Sequence, residues 1–389
     1  MEQLLTSRHL VGVTRLLIMQ PTAFCNIACD YCYLPHRNDK RTMSHDVVAA
    51  ALDFVLENGL PAKDFTIVWH AGEPLVLPPS WYEEAFALIR RRAPDDIVIP
   101  HAMQTNGMLI NDAWCDLFLR HKIRVGVSLD GPAFLHDPRR RTRSGSGTHA
   151  TALRGLRLLK QRGVDAHAIC VVTRASLSHA RDIIDFFHAE GVHEVGFNIE
   201  EIEGVNGQST LDCGDVLRGF EVFVDEALSA AEALSPPVQV REYRNTLAMM
   251  RHPMFGRLNC NSQNMPFAML TVGVGNELFT FSPELAGLSD GKYGDFVIGN
   301  LPGARLDGIL ANPAFNALYR DILQGVGKCR ETCDYFDLCL GGAPVNKLAE
   351  LGTFDATETL ACRLSHQVFN DVSLRRVETM LANAGERVT

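Results

Sequence analysis

Between Arg15 and Leu234 the chain alternates short apolar runs with longer stretches whose apolar residues recur every three or four positions. Leu16-Leu17-Ile18-Met19 and Phe65-Thr66-Ile67-Val68-Trp69 read as strands buried on both faces, and so do stretches near 97–104, 125–129, 166–172 and 195–199. Each is followed by a helical pattern. Val47, Val48, Ala51, Leu52, Val55 and Leu56 share one helix face, with Ser44 placed as N-cap and Gly59 as the stop. A second helix is expected near 81–91. Repeated strand–helix units predict an α/β fold with a parallel sheet, whose site lies at the C-terminal ends of the strands. The alternation stops at Ser235-Pro236-Pro237. The pattern therefore predicts a first domain over 12–235 and a second, of different construction, over 236–389.

Composition narrows the class. With 389 residues, 46% hydrophobic and 21% charged, the chain is long enough for a large core and ordinary for a globular protein. Net charge is −9 and the basic residues are scattered, apart from Arg139-Arg140-Arg141 with Arg143, so a nucleic-acid groove is not expected. No run is long enough to span a membrane, and the N-terminus does not read as a signal peptide. Eleven cysteines without an export signal suit a reducing cytoplasm, where they serve metal or redox chemistry or the core.

Three of those cysteines, Cys25, Cys29 and Cys32, are spaced C-x3-C-x2-C just after the first strand. Three thiolates can hold three irons of a [4Fe–4S] cube and leave the fourth iron free of protein. Zinc is the alternative, although zinc sites usually pair C-x2-C units with a fourth Cys or His close by. The motif resembles the signature of the radical SAM enzymes, in which S-adenosylmethionine (SAM) chelates the open iron and is cleaved to a 5′-deoxyadenosyl radical. The resemblance implies a partial (β/α)6 TIM-type barrel, an external electron donor such as a small flavodoxin or ferredoxin, and a set of SAM contacts. Trp69-His70-Ala71-Gly72-Glu73-Pro74 is similar to the family's Gly-Gly-Glu-Pro motif, with Ala71 where the first glycine is usual. Glu73 and Gly72 are then expected at the SAM ammonium and His70 near the ribose. Thr105-Asn106-Gly107 matches a family turn, with a contact from Thr105. Ser128 and either Arg140 or Arg143 would meet the SAM carboxylate, and Asn198 the nucleoside. Cys115, Cys170 and Cys213 lack ligand spacing and read as core or incidental.

In the second half, Cys329, Cys333, Cys339 and Cys362 follow C-x3-C-x5-C-x22-C. This looks like one auxiliary-cluster site of the SPASM extension of peptide-modifying radical SAM enzymes, with structural zinc as the competitor. Phe281 and Ala343 stand where two further cysteines would be needed, so one auxiliary [4Fe–4S] cluster is expected, with Cys260 left over. Five strings resemble the cyclophane-forming maturases of the GrrM/OscB kind: Glu200–Asn206, Phe281–Leu285, Phe296–Asn300, Gly341–Leu348 and Glu358–Arg363. That resemblance implies a ribosomally made precursor peptide as substrate. A carbon–carbon bond would join an aromatic ring to the β-carbon of a residue two positions later. Glu284, then Glu200 and Glu201, are the expected proton acceptors. Some fifteen residues precede the first strand, so no fused leader-binding domain is expected. The rival readings are formylglycine or thioether formation and, in another class, a non-catalytic iron–sulfur electron carrier or zinc scaffold.

Overall fold

The computed structural model describes residues 12–94 and 97–386. The stretch on which the leader-domain expectation rests lies largely outside the described residues. All six expected strands form: β1 (Thr14–Met19), β3 (Pro61–Trp69), β4 (His101–Thr105), β5 (Arg124–Ser128), β7 (Ala166–Val172) and β8 (Glu194–Ile199). They lie side by side, all parallel, in the order β1-β3-β4-β5-β7-β8. Four of the five residues of β5 are buried, as expected of a strand covered on both faces. The helix His45–Glu57 starts where the Ser44 hydroxyl accepts from the Val47 N–H, and the chain leaves it through Gly59 at φ +64°. The helix Pro79–Arg92 follows β3. It lays Tyr82 and Phe86 edge-on against Trp69, the last residue of β3, at centroid distances of 5.4 and 5.8 Å. Trp69 is fully buried, and truncating such a ring costs about 3–5 kcal/mol. That packing fixes the strand end from which His70 to Glu73 emerge.

Past residue 235 the chain adds to the same sheet. β9 (Gln239–Val240) extends it beside β8. On the other side β10 (Met269–Val272) pairs parallel with β1, register Leu17↔Leu270. β11 (Glu277–Thr280) and β12 (Gly299–Asn300) continue antiparallel, so ten strands form one sheet. Helices then carry the later cysteines: Pro313–Thr332 holds Cys329, the turn Phe336–Cys339 ends on Cys339, and Pro344–Leu351 packs beside them. Two short strands outside the main sheet, β2 (Ile27–Cys29) and β6 (Arg140–Thr142), pair antiparallel and were not legible as strands. No described helix is long and apolar enough to cross a membrane.

Candidate active site

The loop bearing Cys25, Cys29 and Cys32 leaves the C-terminal end of β1 and is braced from three sides. Its β2 segment sets Cys29 opposite Arg140 of β6. Arg37 and Arg143 donate to the Cys29 and Cys25 carbonyls at 3.0 and 2.8 Å. The Asn106 amide donates to Asn26 Oδ1 at 2.7 Å. Gly72 runs directly beneath at φ +58°, where a Cβ would stand 2.6 Å from the carbonyl oxygens of Thr22 and Phe24. Only glycine fits that approach. Ala71, one residue earlier, is also left-handed at φ +73°, so the usual glycine at that position has a conformational reason.

All three cysteines line one cavity of about 310 Å³. Burial pushes the Cys25 and Cys29 thiols up to about 12 and about 11. Such thiols stay protonated at neutral pH until a metal displaces the proton, and with Cys32 they give one cavity the three sulfurs that three irons of a cube require. The donor set therefore fits a cluster. The same cavity is lined by every expected SAM contact except Arg143. Glu73 is buried, and its carboxylate accepts from Thr105 Oγ1 (2.7 Å), the Asn106 N–H (2.7 Å) and the Leu75 N–H (2.9 Å). An ionised carboxylate has about four acceptor sites. One is left for a cation, and burial without one pushes the pKa up to about 7. His70 is pushed down to about 4 by burial and is neutral, with Nε2 3.1 Å from the Tyr33 hydroxyl. Ser128 sits at the end of β5, on the cavity wall.

The two arginines separate. Arg140 faces the cavity, but its Nε and Nη2 are held by Asp130 at 2.9 and 3.0 Å, with Nη1 3.9 Å from Cys29 Sγ. Arg143 is on the outer side of the loop, bonded to Cys25, Asn38 and the Arg37 carbonyl. Neither guanidinium offers an unoccupied two-pronged face. Asp130 also accepts from Tyr31 and from the Val171 N–H (2.9 Å), joining the cluster loop, β5, β6 and β7. Sequence reasoning passed over it, although it stands in Ser128-Leu129-Asp130-Gly131 at a strand end. Asn198 lines the cavity and accepts from Arg241 at 2.6 Å.

A second cavity, of about 340 Å³, is lined by Cys329, Cys333, Cys339 and Cys362 together. Burial pushes the Cys362 thiol up to about 12 and raises that of Cys339. Among the described residues no three His, Cys, Asp or Glu side chains converge closely enough for a single metal ion. Four cysteines opening onto one cavity provide the four thiolates that a closed multi-iron cluster needs. Cys260 does not line it. Phe281, fully buried at φ +76°, instead stacks on Tyr319 and Phe315 at 6.0 and 6.5 Å, and Tyr319 feels Cys260 electrostatically.

The two cavities share three residues, Glu201, Glu203 and Glu284. Burial raises all three carboxyl pKa values, Glu201 to about 7. Glu201 and Glu203 are hydrogen-bonded to each other, and burial together with their mutual repulsion favours one proton held between the two carboxyls. Glu284 also bonds the Ser282 hydroxyl. Glu203 was missed; its signal was membership of the string Glu200–Asn206, which has three glutamates in four residues. Glu200 behaves differently. Its carboxylate takes the Thr210 N–H and hydroxyl and lies 3.7 Å from Arg139, so it ties down the following loop.

Comparison with known proteins agrees with this geometry. A sequence profile of the radical SAM superfamily matches residues 19–187. An uncharacterised protein, sll1766, of Synechocystis is 39% identical over 377 residues, covering 96% of this chain and 94% of that one. A serine-type anaerobic sulfatase-maturating enzyme of Klebsiella aerogenes is 37% identical over 194 residues, 48% of this chain and 47% of the enzyme. The structure of native anSMEcpe with bound AdoMet and Cp18Cys peptide shares the fold, with a TM-score of 0.76, 19% identity and coverage of 95% and 99%. SuiB of Streptococcus suis, bound to its precursor peptide SuiA, aligns with a TM-score of 0.64 and 14% identity over 91% and 77% of the two chains. The cysteine loop at the rim of a parallel sheet is thus part of a shared inheritance, and the chain belongs to the radical SAM superfamily.

Proposed function

We propose that the protein modifies a ribosomally made precursor peptide, closing a three-residue cyclophane between an aromatic ring carbon and the β-carbon of a residue two positions later. One observation carries this reading. Four of the five strings that resemble cyclophane-forming maturases, all outside the superfamily match, contribute residues around the two cavities: Glu201 and Glu203; Glu284; Gly341, Asn346 and Lys347 among others; and Glu358, Thr359 and Cys362. Phe296–Asn300 is the exception; Val297 belongs to a different groove.

When bound, the cluster and SAM supply a 5′-deoxyadenosyl radical that takes a hydrogen atom from the β-carbon, and the auxiliary cluster supplies an acceptor for one electron. The product lacks two hydrogens, one removed as an atom and one as a proton plus that electron. The chain's own groups do the rest. Glu73 holds a cation at the floor of the first cavity, and neutral His70 presents a hydrogen-bonding ring without charge. Glu284, between the two cavities, takes the ring proton, with the Ser282 hydroxyl holding its carboxylate. Glu201 and Glu203 keep one proton between them, which spares Glu284 a third full negative charge.

Formylglycine formation is the second reading, favoured by the similarity to sulfatase-maturating enzymes over about half the chain. Co-expression with the candidate precursor and fragmentation of the product separates the two. Loss of 2 Da spread between an aromatic residue and a residue two places on supports the cyclophane; a mass change confined to a single serine or cysteine rejects it. Glu284→Gln should lower crosslinking about 100-fold or more while 5′-deoxyadenosine still forms, as expected for removal of a general base.

A further inference from the structure

Lys347 is in the helix Pro344–Leu351 and only 4% exposed. Its Nζ lies 3.3 Å from Cys329 Sγ, on the wall of the four-cysteine cavity. Among the described residues no carboxylate comes within ion-pair distance of it, and the sulfur is its one hydrogen-bond partner. A buried ammonium with no counter-charge is strongly unfavourable, so such groups are found paired. Four neutral thiols do not provide a counter-charge. Four thiolates do.

We propose that Lys347 is the counter-charge of the auxiliary cluster and sets its reduction potential through the sulfur of Cys329. The inference rests on the reading of Cys329, Cys333, Cys339 and Cys362 as a four-thiolate cluster site. A cube of formal charge +2 held by four thiolates carries −2, and one-electron reduction takes it to −3. A positive charge at a ligand sulfur stabilises the more negative form more strongly, and hydrogen bonds to sulfur act in the same direction. Lys347 therefore raises the potential and makes the cluster a better electron acceptor. Backbone N–H groups of Gly341, Gly342 and Thr359 also reach Cys339 and Cys362, but among the described residues Lys347 is the one lysine or arginine lining that cavity, where Glu201, Glu203, Glu284 and Glu358 add acidic groups.

The test uses full-length protein in which Cys25, Cys29 and Cys32 are all alanine, reconstituted without oxygen so that only the auxiliary site can load. Iron and sulfide are assayed and the potential is titrated by electron paramagnetic resonance for the Lys347, Lys347→Met and Lys347→Arg forms. Lys347→Met should shift the reduction equilibrium at least about tenfold toward the oxidised cluster, about 59 mV for one electron. Lys347→Arg should stay closer to the parent. Loss of iron from the methionine form alone also supports the counter-charge role. Equal potentials in all three, or equal iron loss from both variants, overturns it. A parent that binds no cluster at this site fails earlier, and rejects the four-thiolate site itself.

Discussion

Two residues shape the site by backbone conformation and ion pairing rather than by chemistry of their own. Ala71 holds a left-handed backbone at φ +73°, at the place of the first glycine in the motif it resembles. An L-residue pays about 1–2 kcal/mol there, against about 0.5–1 kcal/mol of unfolded-state entropy for glycine. Ala71→Gly should therefore stabilise the protein by about 0.5–1 kcal/mol, read as a raised urea midpoint with an unchanged slope. Asp130 is more demanding, since its carboxylate and the Arg140 guanidinium are 3% and 8% exposed. Asp130→Ala leaves a buried arginine without its partner and should cost about 3–5 kcal/mol. Arg140→Leu in the same protein should recover part of that loss, a recovery that a merely cavity-forming substitution would not show. The cysteines stood out by their spacing, and Glu73 by the likeness of Ala71-Gly72-Glu73-Pro74 to a family motif. Asp130, Asn106 and Lys347 stayed hidden because their role depends on partners 10 to 80 positions away, joined only when the chain folds.

At the scale of elements, the six parallel strands and their helices were legible because strands buried on both faces leave unbroken apolar runs. The edges were not. β9 and β12 are two residues long, and β2 and β6 are three, too short to leave a periodic trace. Nor does any local pattern state that β10 will lie beside β1, more than 250 residues away, with Leu16 to Met19 matched to Met269 to Val272. That pairing makes a prediction about dissection. A protein ending at residue 235 leaves one full edge of β1 unpaired, and unpaired edges aggregate. Such a protein should elute in the void volume on size exclusion and lose the iron of the first site, whereas the full chain retains both solubility and iron.

Across the whole molecule, buried titratable groups pull stability in opposite directions. Glu201 and its neighbours have pKa values above the model-peptide value of 4.5, Glu201 at about 7. The folded chain then binds more protons than the unfolded chain above about pH 4.5, so their contribution to stability is full below that pH and is lost as pH rises, for Glu201 through about 7. Buried His70, His101 and His136, pushed down to about 4, about 3 and about 4, act in the other sense. The carboxylate share is isolated by comparing cluster-free parent with Glu203→Gln. The variant should gain stability relative to the parent steadily from pH 5 to 8, read from urea midpoints, and a pH-independent difference would reject the shared-proton arrangement. β1 belongs to both halves of this electrostatic landscape. It ends in the cysteine loop and is hydrogen-bonded along its length to β10, whose hairpin partner β11 leads directly to Glu284. On the proposed function, the sheet itself sets the spacing between the cysteine loop and Glu284, and a guest peptide must fit its own curvature to a ruler already cut.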